Sequence, residues 1–142
     1  MDISRRVLIV EPDNKYALEL VALLVNEGYD LEISRSFTDA VQMVNDVNFD
    51  CVIMDVDLPD IRGYEAVPIM KAIDPKIQII MTAHKNTKEL EAKVRSQDVY
   101  YYYIKSFDRH ELKLAVYGIY KKLGKIKEVR KEDGSPYTTG TD

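Results

Sequence analysis

Residues 51–63 read CVIMDVDLPDIRG. The stretch Cys51 to Met54 is too short for a helix and rich in β-branched residues, so it reads as a strand covered on both faces. Asp55 ends that run directly, and Asp57 follows two residues later. Three further runs share this character: Val7 to Val10, Ile77 to Met81 and Val99 to Ile104. A weaker run, Leu31, Glu32, Ile33, Ser34, alternates strictly, as an edge strand with one wetter face does. The spacing therefore predicts five strands.

The segments between them have helical period. Asn14 to Glu27 puts Ala17, Leu20, Val21 and Leu24 on one stripe and ends at Gly28, a C′ glycine. Phe37 to Val47 turns Ala40, Val41 and Val44 inward, and Ser36 with Asp39 resembles a capping box. Tyr64 to Ile73 contains Pro68, which should kink it or confine its regular part. Thr87 to Ser96 is charged, with only Leu90, Ala92 and Val94 to bury, and Asp108 to Leu123 carries Leu112, Ala115, Val116 and Ile119. Five strands alternating with five helices imply an α/β fold: a doubly wound, five-stranded parallel sheet in the order 2-1-3-4-5.

The 142 residues suffice for one such domain. One cysteine and two histidines exclude a disulfide scaffold and a structural zinc. No run approaches the roughly 18 apolar residues of a membrane span, and no signal peptide is legible, so a soluble cytoplasmic chain that does not meet a membrane is expected. A net charge of −4 argues against nucleic-acid binding. Residues 121–133 hold six bases against three acids, and GSPYTTGTD has no apolar period. The expected division is a domain over 1–123 and a basic, then polar, tail over 124–142, disordered beyond residue 130.

Ligands of an open parallel sheet sit beyond the carboxyl ends of its strands, at the switch point between strands 1 and 3. Glu11, Pro12 and Asp13 follow strand 1; Asp55, Val56 and Asp57 end strand 3; Thr82, Ala83 and His84 end strand 4; Lys105 ends strand 5. Two carboxylates about 4 Å apart repel by on the order of 4 kcal/mol at an effective dielectric near 20, so a cation must compensate them. Hard oxygen ligands at a wet rim suit Mg²⁺. With Mg²⁺ and Lys105 neutralising an arriving phosphoryl group, an aspartate can attack it and carry an acyl phosphate, and Thr82 can hydrogen-bond a phosphoryl oxygen.

In four blocks, VLIVEPD, IMDVDLPDIRG, IIMTAH and YYYIKSF, the chain from about Arg5 to Leu123 resembles the CheY-like receiver domains of two-component signalling. The second block is the specific one, with Pro59 and Gly63 four and eight residues after Asp55. The resemblance implies a flavodoxin-like three-layer fold, Asp55 as phosphoacceptor, Glu11 in the acidic pocket, Thr82 as switch hydroxyl, Lys105 as the family's lysine and Tyr102 as the aromatic that swings inward. It makes Glu11, Asp13, Asp55 and the backbone carbonyl of Asp57 the metal ligands. Two positions depart from the family: Pro12 replaces its second acid, which bears on Mg²⁺ affinity, and Ser106 replaces a cis-forming proline, so a trans Lys105–Ser106 bond is expected.

Simpler roles stand beside these. Asp13 can be the N-cap of the first helix, the Asp57 side chain a surface-loop group, and Cys51 an inert core thiol. His84 is too isolated for a ligand, and His110 reads as helix surface. Tyr100 to Tyr103 alternate across an edge strand and suit both core and interface. The leading function is a phosphorelay switch: a sensor histidine kinase or phosphotransfer protein donates to Asp55, and the face of the fourth helix, fifth strand and fifth helix signals to a downstream protein or forms a homodimer. The second is a receiver-like interaction module with weakened or absent phosphorylation, favoured by Pro12 and Ser106. The third is a phosphohydrolase using Asp55-Val56-Asp57 as a D-x-D motif, which is expected after a first strand rather than a third. On this reading the chain is a phosphoacceptor, not an enzyme acting on an external substrate. About 19 residues follow Leu123, too few for an effector, which leaves a stand-alone receiver or a segment of a longer protein.

Overall fold

The computed structural model describes residues 4–126 together with the backbone of residues 129–130 and 136–137. Five strands form one parallel sheet: β1 (Arg6–Val10), β2 (Asp30–Ser34), β3 (Cys51–Asp55), β4 (Gln78–Ala83) and β5 (Tyr101–Ile104). Their order is β2-β1-β3-β4-β5. The intervening helices are α1 (Asn14–Leu24), α2 (Phe37–Asp46), α3 (Gly63–Ile73), α4 (Lys88–Arg95) and α5 (Arg109–Lys122).

Alternation along the strands sorts the core into two layers. Leu8, Val10, Val52, Met54, Ile79 and Met81 face α2, α3 and α4, which contribute Ala40, Val44, Ala66, Val67, Met70 and Val94. Val7, Ile9, Ile53, Ile80 and Tyr103 face α1 and α5, which contribute Ala17, Leu20, Leu24, Leu112, Val116 and Ile119. Both layers are dry, which is why the middles of the inner strands are apolar and polar residues fall at or near their ends. Edge strand β2 keeps Asp30 and Glu32 exposed while Leu31 and Ile33 are partly covered, as its alternation predicts.

Helix starts follow the capping signals. Asp13, Ser36, Thr87 and Asp108 each accept a backbone N–H of the helix they precede. Asp39 donates its N–H to Ser36 Oγ, the forward half of the expected capping box. The first helix is shorter than its apolar stripe: after Leu24 the chain tightens into a 3₁₀ turn, Val25–Glu27, and leaves through Gly28 at φ +84°. Helix α3 runs through Pro68, so the proline does not confine it to one side. The missing N–H costs one bond to Tyr64 in the second turn. Ala92, expected to be buried, is exposed: short, charged α4 turns only Val94 fully inward.

Beyond α5, β6 (Val129–Arg130) pairs antiparallel with β7 (Pro136–Tyr137). The rest of the expected disordered tail lies outside the described residues. No described helix is long and apolar enough to cross a membrane.

Candidate functional site

Strand register assembles the site. Val10 lies opposite Met54, so Glu11 emerges beside Asp55. Asp55 is itself paired with Thr82, and Ala83 with Ile104, which sets Lys105 one step past the sheet on the same rim. Lys105 N–H donates to Ala83 O at 2.9 Å and holds that step in place. Four chemical groups from four strands thus meet at one end of the sheet without any local sequence proximity.

The side chains complete the contact. Lys105 Nζ donates to Glu11 Oε1 at 2.7 Å and lies 2.9 Å from Asp55 Oδ1. Thr82 Oγ1 donates to Asp55 Oδ1 at 3.1 Å, and Asp57 N–H donates to Asp55 Oδ2 at 2.9 Å. Asp13 N–H donates to Glu11 Oε2 at 3.0 Å. Glu11 is 2 % exposed, Asp55 5 % and Thr82 1 %, so these acids are held by partners and not by solvent. The Lys105–Ser106 bond is trans, as expected, and still delivers the ammonium to both carboxylates.

Two buried carboxylates share one ammonium, which leaves a surplus negative charge in a poorly solvated place. Burial pushes the Glu11 carboxyl above its ordinary range, and the neighbouring Asp55 charge adds to the push. Hydrogen bonds from Lys105 and the Asp13 N–H oppose it without cancelling it. Burial pulls the Lys105 ammonium down, but its bonds to Glu11 and Asp55 outweigh that and hold it above the usual lysine value. The ammonium therefore keeps its proton at neutral pH.

The sequence candidates divide into two groups. Glu11, Asp55, Thr82 and Lys105 meet. Asp13 stands apart, its Oδ1 accepting Lys15 N–H at 3.0 Å as the α1 cap. The Asp57 carboxylate points away, paired with Arg62 at 2.7 Å on the exposed surface, while its backbone stays against Asp55. Tyr102 lies outside the pocket, 8 % exposed, donating its hydroxyl to Asn86 Oδ1 at 2.8 Å. Cys51 is fully buried, and burial pushes its thiol up, away from reactivity.

Two participants escaped the sequence reading. Tyr16 places its ring over Lys105, with Nζ 4.3 Å from the centroid, and Asn86 fastens Tyr102 to the β4–α4 loop. Tyr16 sits in the first helical turn after the strand 1 rim, the only signal that could have found it.

A hard cation fits the donor chemistry, because the surplus negative charge is carried by oxygen. Among the described residues no three His, Cys, Asp or Glu side chains lie close enough to cage a metal alone. An ion that keeps several waters needs fewer protein ligands.

Comparison with known proteins bears on the family and the fold. A family model described as response regulator receiver domain matches residues 7–117. The chain is 30 % identical over 111 residues to a probable transcriptional regulator, ycf29, of Porphyra purpurea, covering 77 % of this chain and 53 % of that one. It is 27 % identical over 106 residues to the DNA-binding transcriptional regulator NtrC of Azospirillum brasilense, covering 75 % and 22 %. The chain thus spans about half the length, or less, of these curated relatives. Among solved structures, the signal receiver domain of an HD domain-containing protein from Pseudomonas fluorescens Pf-5 superposes with a TM-score of 0.80 at 24 % identity, covering 85 % of this chain and 98 % of that one. The beryllofluoride-activated NtrC4 receiver domain dimer gives 0.77 at 21 %, covering 82 % and 97 %.

Proposed function

The chain belongs to the response regulator receiver domain family, and from that premise we propose that Asp55 is its phosphoacceptor in a two-component phosphorelay. The observation that carries this reading is the shared grip on Asp55 Oδ1, held at once by Lys105 Nζ and Thr82 Oγ1 in a buried pocket at the sheet's carboxyl rim.

An Asp55 oxygen attacks the phosphorus of a phosphohistidine on a sensor kinase or phosphotransfer protein. The O–P bond forms as the P–N bond breaks, and the electron pair returns to the donor imidazole, which takes a proton from solvent. The product is an acyl phosphate on Asp55. Lys105 moves its charge from the Asp55 carboxylate to a phosphoryl oxygen, and Thr82 turns its hydroxyl to another. Glu11, Asp55 and the Asp57 carbonyl are the groups we assign to Mg²⁺, with Asp13 available only if it gives up its cap. When bound, the ion neutralises phosphoryl charge.

The message leaves through Thr82 and Tyr102 to the face of α4, β5 and α5, where a downstream protein or a second copy of the chain would bind. A coupling of about 1–3 kcal/mol between site and surface suffices for such a switch. The similar NtrC4 receiver is described as a beryllofluoride-activated dimer, which supports a second copy as one partner.

Incubation with acetyl phosphate and Mg²⁺, followed by intact mass, tests the reading. A gain of about 80 Da that Asp55→Asn abolishes is expected. No gain in the unaltered protein would overturn it in favour of a receiver-like module working by constitutive contacts, the reading that Pro12 favours.

A further inference from the structure

Lys105 is fixed on three sides. Two are the Glu11 and Asp55 carboxylates, and the third is the Tyr16 ring, whose centroid lies 4.3 Å from Nζ. The lysine side chain is only 14 % exposed, so an ammonium there has exchanged most of its water for these three partners. The two kinds of partner differ in what they do during phosphoryl transfer. A carboxylate that holds the ammonium must let it go when the charge moves to the phosphoryl oxygens. The negative face of an aromatic ring attracts the cation without competing for an acceptor and without cancelling its charge.

The backbone aims Tyr16 at this task. Asp13 caps α1, so Tyr16 falls in the first turn, and helical side chains lean back toward the N-terminus, here toward the rim that carries Lys105. The next residue on the inward stripe, Ala17, is fully buried against the sheet and fixes the rotation of the turn. Burial, reinforced by Tyr103, Glu11 and Asp55, pushes the Tyr16 phenol far above its ordinary value, so the ring stays neutral beside the acids.

We propose that Tyr16 is a positioning residue for phosphoryl transfer to Asp55, holding the Lys105 ammonium over the pocket through its ring face while that ammonium changes acceptors. The proposal rests on the phosphoacceptor reading above. It requires an aromatic face at position 16 rather than a hydroxyl or apolar bulk.

The test replaces Tyr16 with Phe, with Leu, and with mono-, di- and trifluorophenylalanine in the full chain. Two quantities are read: the ring-current shift of the Lys105 ε-methylene protons by NMR, and the rate constant for adduct formation from acetyl phosphate with Mg²⁺. Tyr16→Phe should keep both within about twofold. Tyr16→Leu should abolish the ring-current shift and slow phosphorylation by about tenfold, or about 1.4 kcal/mol. The fluorinated series should fall stepwise between them as the ring face loses negative charge, at unchanged shape. Equal rates in the Phe, Leu and trifluoro variants would overturn the proposal and make Tyr16 packing alone. No ring-current shift in the unaltered protein would overturn the contact itself. No adduct in the unaltered protein, with the shift present, would overturn the phosphoacceptor reading and this role with it. Leu and Phe variants of equal thermal stability exclude misfolding as the cause of a slow rate.

Discussion

Thr82 Oγ1 stands 3.1 Å from Asp55 Oδ1, donating its hydroxyl across the β3–β4 register that pairs the two residues. The bond is wholly internal, with Thr82 1 % and Asp55 5 % exposed. On the other side of Thr82 in the sheet, Tyr103 is its register partner and Tyr102 the next residue back. The Asp55 carboxylate is therefore linked by one hydroxyl to the strand that pairs with β5.

Replacing that hydroxyl by a methyl separates uptake from signalling. Thr82→Val keeps the β-branched shape, costs about 1 kcal/mol of stability and leaves phosphorylation within about tenfold. The Tyr102 ring resonances should shift when beryllofluoride is added to the unaltered protein and stay fixed in the variant.

Removing the ammonium exposes the conflict between the acids. Lys105→Met leaves Glu11 and Asp55 buried together without a counter-charge, and unfolding by denaturant at pH 7 should show a loss of about 3–5 kcal/mol. The sign with pH follows from Glu11, whose folded pKa is already raised above 4.5. A raised carboxyl stabilises the fold below its unfolded value and loses that contribution as pH climbs through the folded one. The variant should thus recover stability as pH falls from 7 toward 5.

Asp60 shows the opposite sign. Burial is the largest single influence and pushes its pKa up, but bonds from the Thr38 hydroxyl and the Thr38 and Phe37 N–H groups together outweigh it and hold the carboxyl below 3.8. Its contribution is present above the unfolded value and lost as pH falls through the folded one. Asp60→Ala should cost about 1 kcal/mol at pH 7, by analogy with a lost helix cap, and almost nothing well below pH 3.8. Chemical denaturation of both proteins across that range measures it.

Gly63 is required by space. A Cβ there would collide with the Asp55 carbonyl oxygen and lie 2.9 Å from Val56 Cα, and both are backbone atoms that cannot turn aside. Gly63 N–H also donates to Val56 O at 2.8 Å, which keeps the loop closed over the strand end. Gly63→Ala should lower stability by about 2–3 kcal/mol and reduce phosphorylation with it, read by thermal melting and adduct formation together.

What the sequence made legible follows from range. Strands β1, β3 and β4 announce themselves because each is a dry apolar run closed by a polar residue, and that same closure marks Glu11, Asp55 and Thr82. The expected start of β5 at Val99 falls two residues early, since Val99 and Tyr100 are as apolar as the strand but precede it. Whether Asp13 caps or ligates was open, and the cap is what its side chain makes in this structure. Contacts between distant side chains left no trace in spacing. Asp60 reaches Phe37 and Thr38 across more than twenty residues, and Tyr16 meets Lys105 only because α1 and β5 share a rim. Such encounters depend on loop paths and helix rotation, which periodicity does not encode.

Borohydride reduction after incubation with acetyl phosphate and Mg²⁺ tests the central claim most directly, because it converts an aspartyl phosphate to homoserine and peptide mass then locates it. Homoserine at position 55, dependent on Mg²⁺, is the expected result. Homoserine at Asp57 or Asp13 instead, or none at any position while the protein remains folded, would contradict the account.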